Sequence, residues 1–155
     1  MLLPLLTGIA LVMLTVIIHA LGTLGLIRHL GRRFTDDQGR ILAHKALSAV
    51  IWMMVGLLVF HTLEIVLWAL SYRFFLPGDV LTTWEKAVYF SFVTYTTLGY
   101  GDISLHVPWW RLLSGIEALS GVLLLGWSTA LLFALVQKSW HDLIRRRIWH
   151  ERKDS

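Results

Sequence analysis

Cysteine is absent. That excludes disulfides, thiolate metal sites and cysteine nucleophiles. Charge is scarce as well: Asp, Glu, Lys and Arg make up 15% of the residues, and the net charge is +4. No nucleophile stands with a base, and no paired carboxylates flank a polar stretch, so the chain does not read as an enzyme. No run carries arginine at every third position, which excludes a voltage-sensing helix. There is no low-complexity tract, no long linker and no internal repeat. Nothing basic enough for nucleic acid stands outside the segments that flank apolar runs.

What the chain has instead is apolar length. Of 155 residues, 56% are hydrophobic, and the mean hydropathy is +0.65. Those values point to a membrane protein. Leu2 to Ile27 is 26 residues without a formal charge, long enough to cross a bilayer as a helix. A cleaved signal peptide fits this run poorly, because no Lys or Arg precedes it and it is too long. The first transmembrane helix is therefore assigned to 1–29. His19 lies within it, and Gly8, Gly22 and Gly25 allow a neighbouring helix to approach closely. A basic loop over 30–45 follows, with Asp37-Gln38-Gly39 as a turn. Ala46 begins a second span, 46–75, interrupted by His61 and Glu64. Trp68 and Tyr72 are expected near a membrane interface, where amphipathic rings are favoured.

Pro77-Gly78-Asp79 then turns the chain. Thr82 and Glu85 have capping-box spacing, so a helix is expected over 83–96. At about 1.5 Å per residue it crosses only half a membrane. Irregular backbone at such depth is tolerated only inside protein or beside water. The third span is expected at 110–138, with Glu117 its only acid, and 139–155 is a basic tail containing Arg145-Arg146-Arg147.

Between the half-length helix and the third span lies Thr94-Tyr95-Thr96-Thr97-Leu98-Gly99-Tyr100-Gly101-Asp102. A dehydrated cation needs oxygens to replace its water, and backbone carbonyls supply them if they all face one way. That requires alternating backbone conformations, some with φ > 0, which glycine adopts at least cost. Gly99 and Gly101, one residue apart, meet that demand. Several copies around an axis would stack such carbonyls in rings, with the Thr97 hydroxyl at the inner end, as in a potassium selectivity filter.

Lys and Arg counts fix an orientation. Five stand at 28–45, six at 138–155 and three between Arg73 and Arg111. The positive-inside rule then places loop and C-terminus in the cytoplasm of a multi-pass cell-membrane protein, with the N-terminus and the filter mouth outside.

The Thr-x-Thr-Thr-x-Gly-Tyr-Gly-Asp pattern resembles the signature of tetrameric potassium channels. Thr94, Thr96, Thr97, Gly99, Tyr100, Gly101 and Asp102 occupy its fixed positions. Leu98 departs from it, standing where the family usually has Val or Ile, with its side chain expected behind the filter. The resemblance implies an all-α membrane protein: outer helix 46–75, pore helix 83–96, filter 97–101 and inner helix 110–138, with helix 1–29 added. It implies a homotetramer that passes K⁺ passively, with K⁺ at Thr97, Leu98, Gly99 and Tyr100 as permeant ion and no cofactor. Thr94, Thr96, Tyr89 and Asp102 would support the filter, the last two through a mutual hydrogen bond. Val93 stands where some relatives carry a bracing glutamate. Gly121 fits the place of a gating-hinge glycine, with Gly126 as a second weak point; close helix packing is the other reading of both. Ser128, Thr129, Ala130 and Phe133 would line the cavity or inner gate.

His61, Glu64 and Glu117 form a further group at similar depth, either pH-sensitive or a hydrogen-bonded brace. The Arg145-Arg146-Arg147 run with Trp140 and Trp149 either binds anionic lipid head groups or is simply solvated. A less selective cation channel and a non-conducting membrane regulatory protein remain as alternatives to the potassium reading.

Overall fold

The computed structural model describes residues 2–36, 38–76 and 80–153. Pro77-Gly78-Asp79 and Asp37 lie outside the described residues, and so do the side chains of Arg146, Arg147 and Trp149. Among the described residues most lie in four α-helices: α1 Leu2–Phe34, α2 Ala46–Phe75, α3 Trp84–Tyr95 and α4 Pro108–Lys153. A 3₁₀ turn, Ala43–Lys45, leads into α2. Among the described residues there is no strand, only the isolated bridge between Thr35 and Ile41. α1, α2 and the Pro108–Arg145 stretch of α4 are each long and apolar enough to cross a membrane. This is an all-α membrane protein.

The second helix has the expected bounds; the first and last run longer. α1 continues through Arg28, Arg32 and Arg33 to Phe34 rather than stopping at residue 29. Arginine is a good helix former, and positive charge in the last turn suits the negative end of the helix dipole. α4 continues far beyond residue 138, through the tail to Lys153. No Gly or Pro follows Gly126, so nothing in the backbone stops it. Pro108 opens α4 at the one helical turn where a missing N–H costs nothing.

The helices divide between two compact units, one built from Met1–Leu21 with Val59–Gly126, the other from Gly22–Leu58 with Trp127–Ser155. In the first unit, Trp68, Ala69, Tyr72, Phe90, Trp110 and Leu113 form the core. Trp68 and Tyr72 are fully enclosed there rather than at an exposed interface position. Tyr72 meets Phe90 edge-on, with ring centres 5.2 Å apart. Gly8 lets α1 close on α4: a Cβ there would stand 3.0 Å from Ile116 and Leu113. A Cβ on Gly25 would meet nothing within 4 Å.

In the second unit, the residues after α1 form a small clasp. The Asp36 carboxylate accepts from the Gln38 and Arg40 amides at 3.0 and 2.9 Å and from Arg40 Nε at 3.1 Å. The Arg40 amide bond, above all, holds the Asp36 carboxyl below its ordinary value. Gly39, with φ of +71°, closes the turn. The Ile41 amide donates to Asp142 Oδ2 at 2.9 Å and ties the clasp to α4.

Candidate functional site

The segment expected to carry function begins at the C-terminal end of α3. Thr83 caps the start of α3, its hydroxyl accepting from the Lys86 amide at 3.3 Å. The expected capping box on Thr82 and Glu85 is not formed. With Thr83 as cap, the third helical residue is Lys86, which has no carboxylate to reach back. At 12 residues, α3 is about 18 Å long, roughly half the hydrocarbon thickness.

After Thr96 the backbone alternates. Thr97, Gly99 and Gly101 have φ of +60°, +55° and +80°, while Leu98 and Tyr100 between them do not turn positive. Thr97 is the sole non-glycine residue with positive φ among the described residues. For a β-branched residue that is an outlier, costing about 1–3 kcal/mol, of a kind that collects at functional sites. Three amides turn back on α3. The Thr97 N–H donates to the Thr94 carbonyl at 3.0 Å, and those of Leu98 and Gly99 to the Val93 carbonyl at 3.0 and 3.3 Å. In a trans peptide, C=O and N–H point in opposite directions. The carbonyls of Thr96, Thr97 and Leu98 therefore face away from α3, all to one side. Val93, lacking a carboxylate, holds the loop through its backbone oxygen.

Beyond the ladder, Tyr89 Oη donates to Asp102 Oδ2 at 2.8 Å, the bond implied by the resemblance. Arg111 Nε donates to the Leu105 carbonyl at 2.7 Å and anchors the loop to the first turn of α4. Leu98 and Tyr100 are 55% and 69% exposed. Thr94 and Thr96 are half-buried, and Thr96 Oγ1 donates to the Phe92 carbonyl at 2.6 Å.

The acidic groups pair differently from the expected trio. Glu64 is fully buried and accepts from three sides. His19 Nδ1 lies 2.8 Å from Oε1; His61 Nδ1 and Tyr95 Oη lie 3.1 and 2.5 Å from Oε2. Glu117 is not in this group. Tyr72 Oη donates to Glu117 Oε2 at 2.8 Å, in a separate pair. The reason is register: Tyr72 is two helical turns beyond Glu64 on α2, so each acid meets its own phenol. Ser91 stands beside Glu117 as its second polar neighbour, and among the described residues Ser120 Oγ is buried without a hydrogen-bond partner.

Sequence reasoning missed Tyr95 and left His19 unassigned. The signal for His19 was present, because Thr15, His19 and Thr23 stand four apart and all three are buried. Gly121 is also buried, and its neighbour is the Tyr95 carbonyl. α4 passes Gly121 and Gly126 unbroken, and a Cβ on Gly126 would meet nothing within 4 Å. Thr129, Ala130 and Phe133 are exposed or half-exposed on α4, whereas Ser128 is buried and does not share their face.

A family model described as an ion channel matches residues 60–138, the second half of α2, α3, the loop and most of the apolar part of α4. No solved structure matches this chain.

Proposed function

The chain belongs to the ion channel family, and from that premise we propose that it is a potassium-selective subunit whose Thr97–Gly101 backbone lines the pore. The observation that carries this reading is the alternation at Thr97, Gly99 and Gly101. It turns successive amides toward α3 and leaves successive carbonyls on the opposite side. A ladder of that kind replaces the water shell of a dehydrated cation.

One chain supplies one ladder, so the pore requires several chains, and four is the number the filter signature implies. Exposure of Leu98 and Tyr100 fits that assembly, since large apolar groups beside a pore need a neighbour to cover them. The Tyr89–Asp102 bond holds the outer end of the ladder, and the Thr97 hydroxyl supplies the innermost oxygen. The C-terminal end of α3 directs its negative pole toward the inner end, where it stabilises an arriving cation. The Lys and Arg distribution favours a cytoplasmic C-terminus and an external filter mouth, which would bring the basic end of α4 within reach of anionic lipid head groups.

The test is ion uptake into proteoliposomes holding the purified full chain, with the oligomer sized by cross-linking. Ba²⁺-sensitive K⁺ uptake by a tetramer is expected. A monomer, or uptake of Na⁺ equal to that of K⁺, would overturn the reading.

A further inference from the structure

We propose that His19, His61 and Glu64 form a binding site for a divalent transition-metal ion of the Zn²⁺ class, buried among α1, α2 and α3 and separate from the carbonyl ladder. One ligand atom from each residue lies within 4.8 Å of the others. Glu64 and His19 are fully buried, and the His61 side chain is 10% exposed.

The chemistry of the donor set selects the ion. Two imidazoles with one carboxylate suit Zn²⁺, Fe²⁺, Co²⁺ and Ni²⁺, whereas Mg²⁺, Ca²⁺ and K⁺ prefer oxygen alone. Three protein ligands leave a fourth position on a tetrahedral ion. The Tyr95 phenol, 2.5 Å from Glu64 Oε2 and 3.2 Å from His61 Nδ1, stands beside that position.

Geometry and charge agree. Ligands about 2.0–2.1 Å from a tetrahedral ion stand about 3.4 Å apart. The two imidazole nitrogens lie 2.8 and 3.1 Å from the carboxylate oxygens, so small side-chain rotations open the space. His61 and Glu64 sit three apart on α2, presenting both donors on one face, and His19 brings α1 to meet them. The Glu64 carboxylate stands against both imidazoles and the Tyr95 phenol. In a poorly solvated interior a cation at this point gains strongly from that carboxylate. A bound ion staples α1 to α2 and fixes the end of α3, one residue before Thr96.

The experiment is a Co²⁺ titration of the purified, metal-stripped full chain in detergent, read by visible absorption. The proposal expects an intense band that saturates at one ion per chain and is displaced by Zn²⁺. His19→Gln and His61→Gln should each weaken Co²⁺ binding by at least about 10–100-fold, the loss seen even for outer partners of metal ligands. Both should keep the wild-type circular dichroism and elution volume. His106→Gln, at an exposed loop position, should bind as wild type does. If Glu64→Gln does not fold, the two histidine variants still carry the test. The spectrum of the hydrated ion alone, or equal binding by wild type and both histidine variants, would overturn the proposal. Absorption needs no flux, so a silent pore leaves this site standing, and a missing band leaves the pore standing.

Discussion

Tyr95 and Gly121 meet backbone to side-chain position: the Tyr95 carbonyl oxygen occupies the space that a Cβ on Gly121 would need. The obstacle is backbone, held at the end of α3, and cannot swing aside. The same tyrosine donates its hydroxyl to Glu64. One residue therefore links the buried acid of α2, the end of the short helix and the middle of α4.

Gly121→Ala should accordingly destabilise the chain by about 1–3 kcal/mol, the cost of overpacking. Gly126→Ala, with open space around it, should be neutral or stabilise by about 0.5–1 kcal/mol, because alanine is the better helix residue. Thermal unfolding of both variants in detergent checks the contrast. Equal melting temperatures would mean that α4 shifts freely past Tyr95.

Gly99→Ala places a side chain at φ of +55°. The left-handed conformation costs an L-residue roughly 1–2 kcal/mol. The ladder should relax toward ordinary backbone, and K⁺ uptake into proteoliposomes should fall at least tenfold while the elution volume is unchanged. Uptake at the wild-type rate would remove the alternating backbone from the account.

Tyr72→Phe removes the bond to Glu117 Oε2 and leaves the buried carboxyl with only the Ser91 hydroxyl beside it. A loss of about 1–3 kcal/mol is expected. Glu117→Gln can still accept from Tyr72 and should cost less. Chemical-denaturant unfolding of the two variants side by side checks the order.

The Asp36 clasp titrates with a defined sign. Its carboxyl is held below the ordinary value of 3.8 by bonds that exist only in the folded chain. Its contribution is therefore fully present above that value and is lost as pH falls through the lower folded value. Protection of the Gln38 and Arg40 amides, corrected for intrinsic exchange, should drop below about pH 3.8. Asp36→Asn should lack most of that protection already at neutral pH. Protection independent of pH in the wild type would show that the carboxylate does not hold the loop.

Much of the fold was legible because apolar length and turn chemistry are local. α2 begins and ends where the charge and the Pro-Gly pair suggest, and the half-length of α3 followed from the Thr82 and Glu85 spacing before it and the Thr94–Asp102 stretch after it, although the cap itself is Thr83. The Gly99 and Gly101 pair announced the positive φ values, although Thr97 did not, since nothing in a threonine predicts a left-handed backbone. The ends of α1 and α4 were misjudged because arginines were read as loop, yet arginine favours helix and no breaker follows Gly126. Partner choice was the least legible. Glu64, Glu117, His19, Tyr72 and Tyr95 all lie in helices of similar depth. Their pairing depends on helix rotation and axial offset, which apolar periodicity on nearly all-apolar helices does not determine.

The most direct measurement of the central claim is the reversal potential of single-channel current in a planar bilayer, with K⁺ on one side and Na⁺ on the other. The account predicts Ba²⁺-blocked current that reverses far toward the potassium equilibrium potential, and loss of that shift in Gly99→Ala. A reversal near zero, equal for the wild type and the variant, would contradict it.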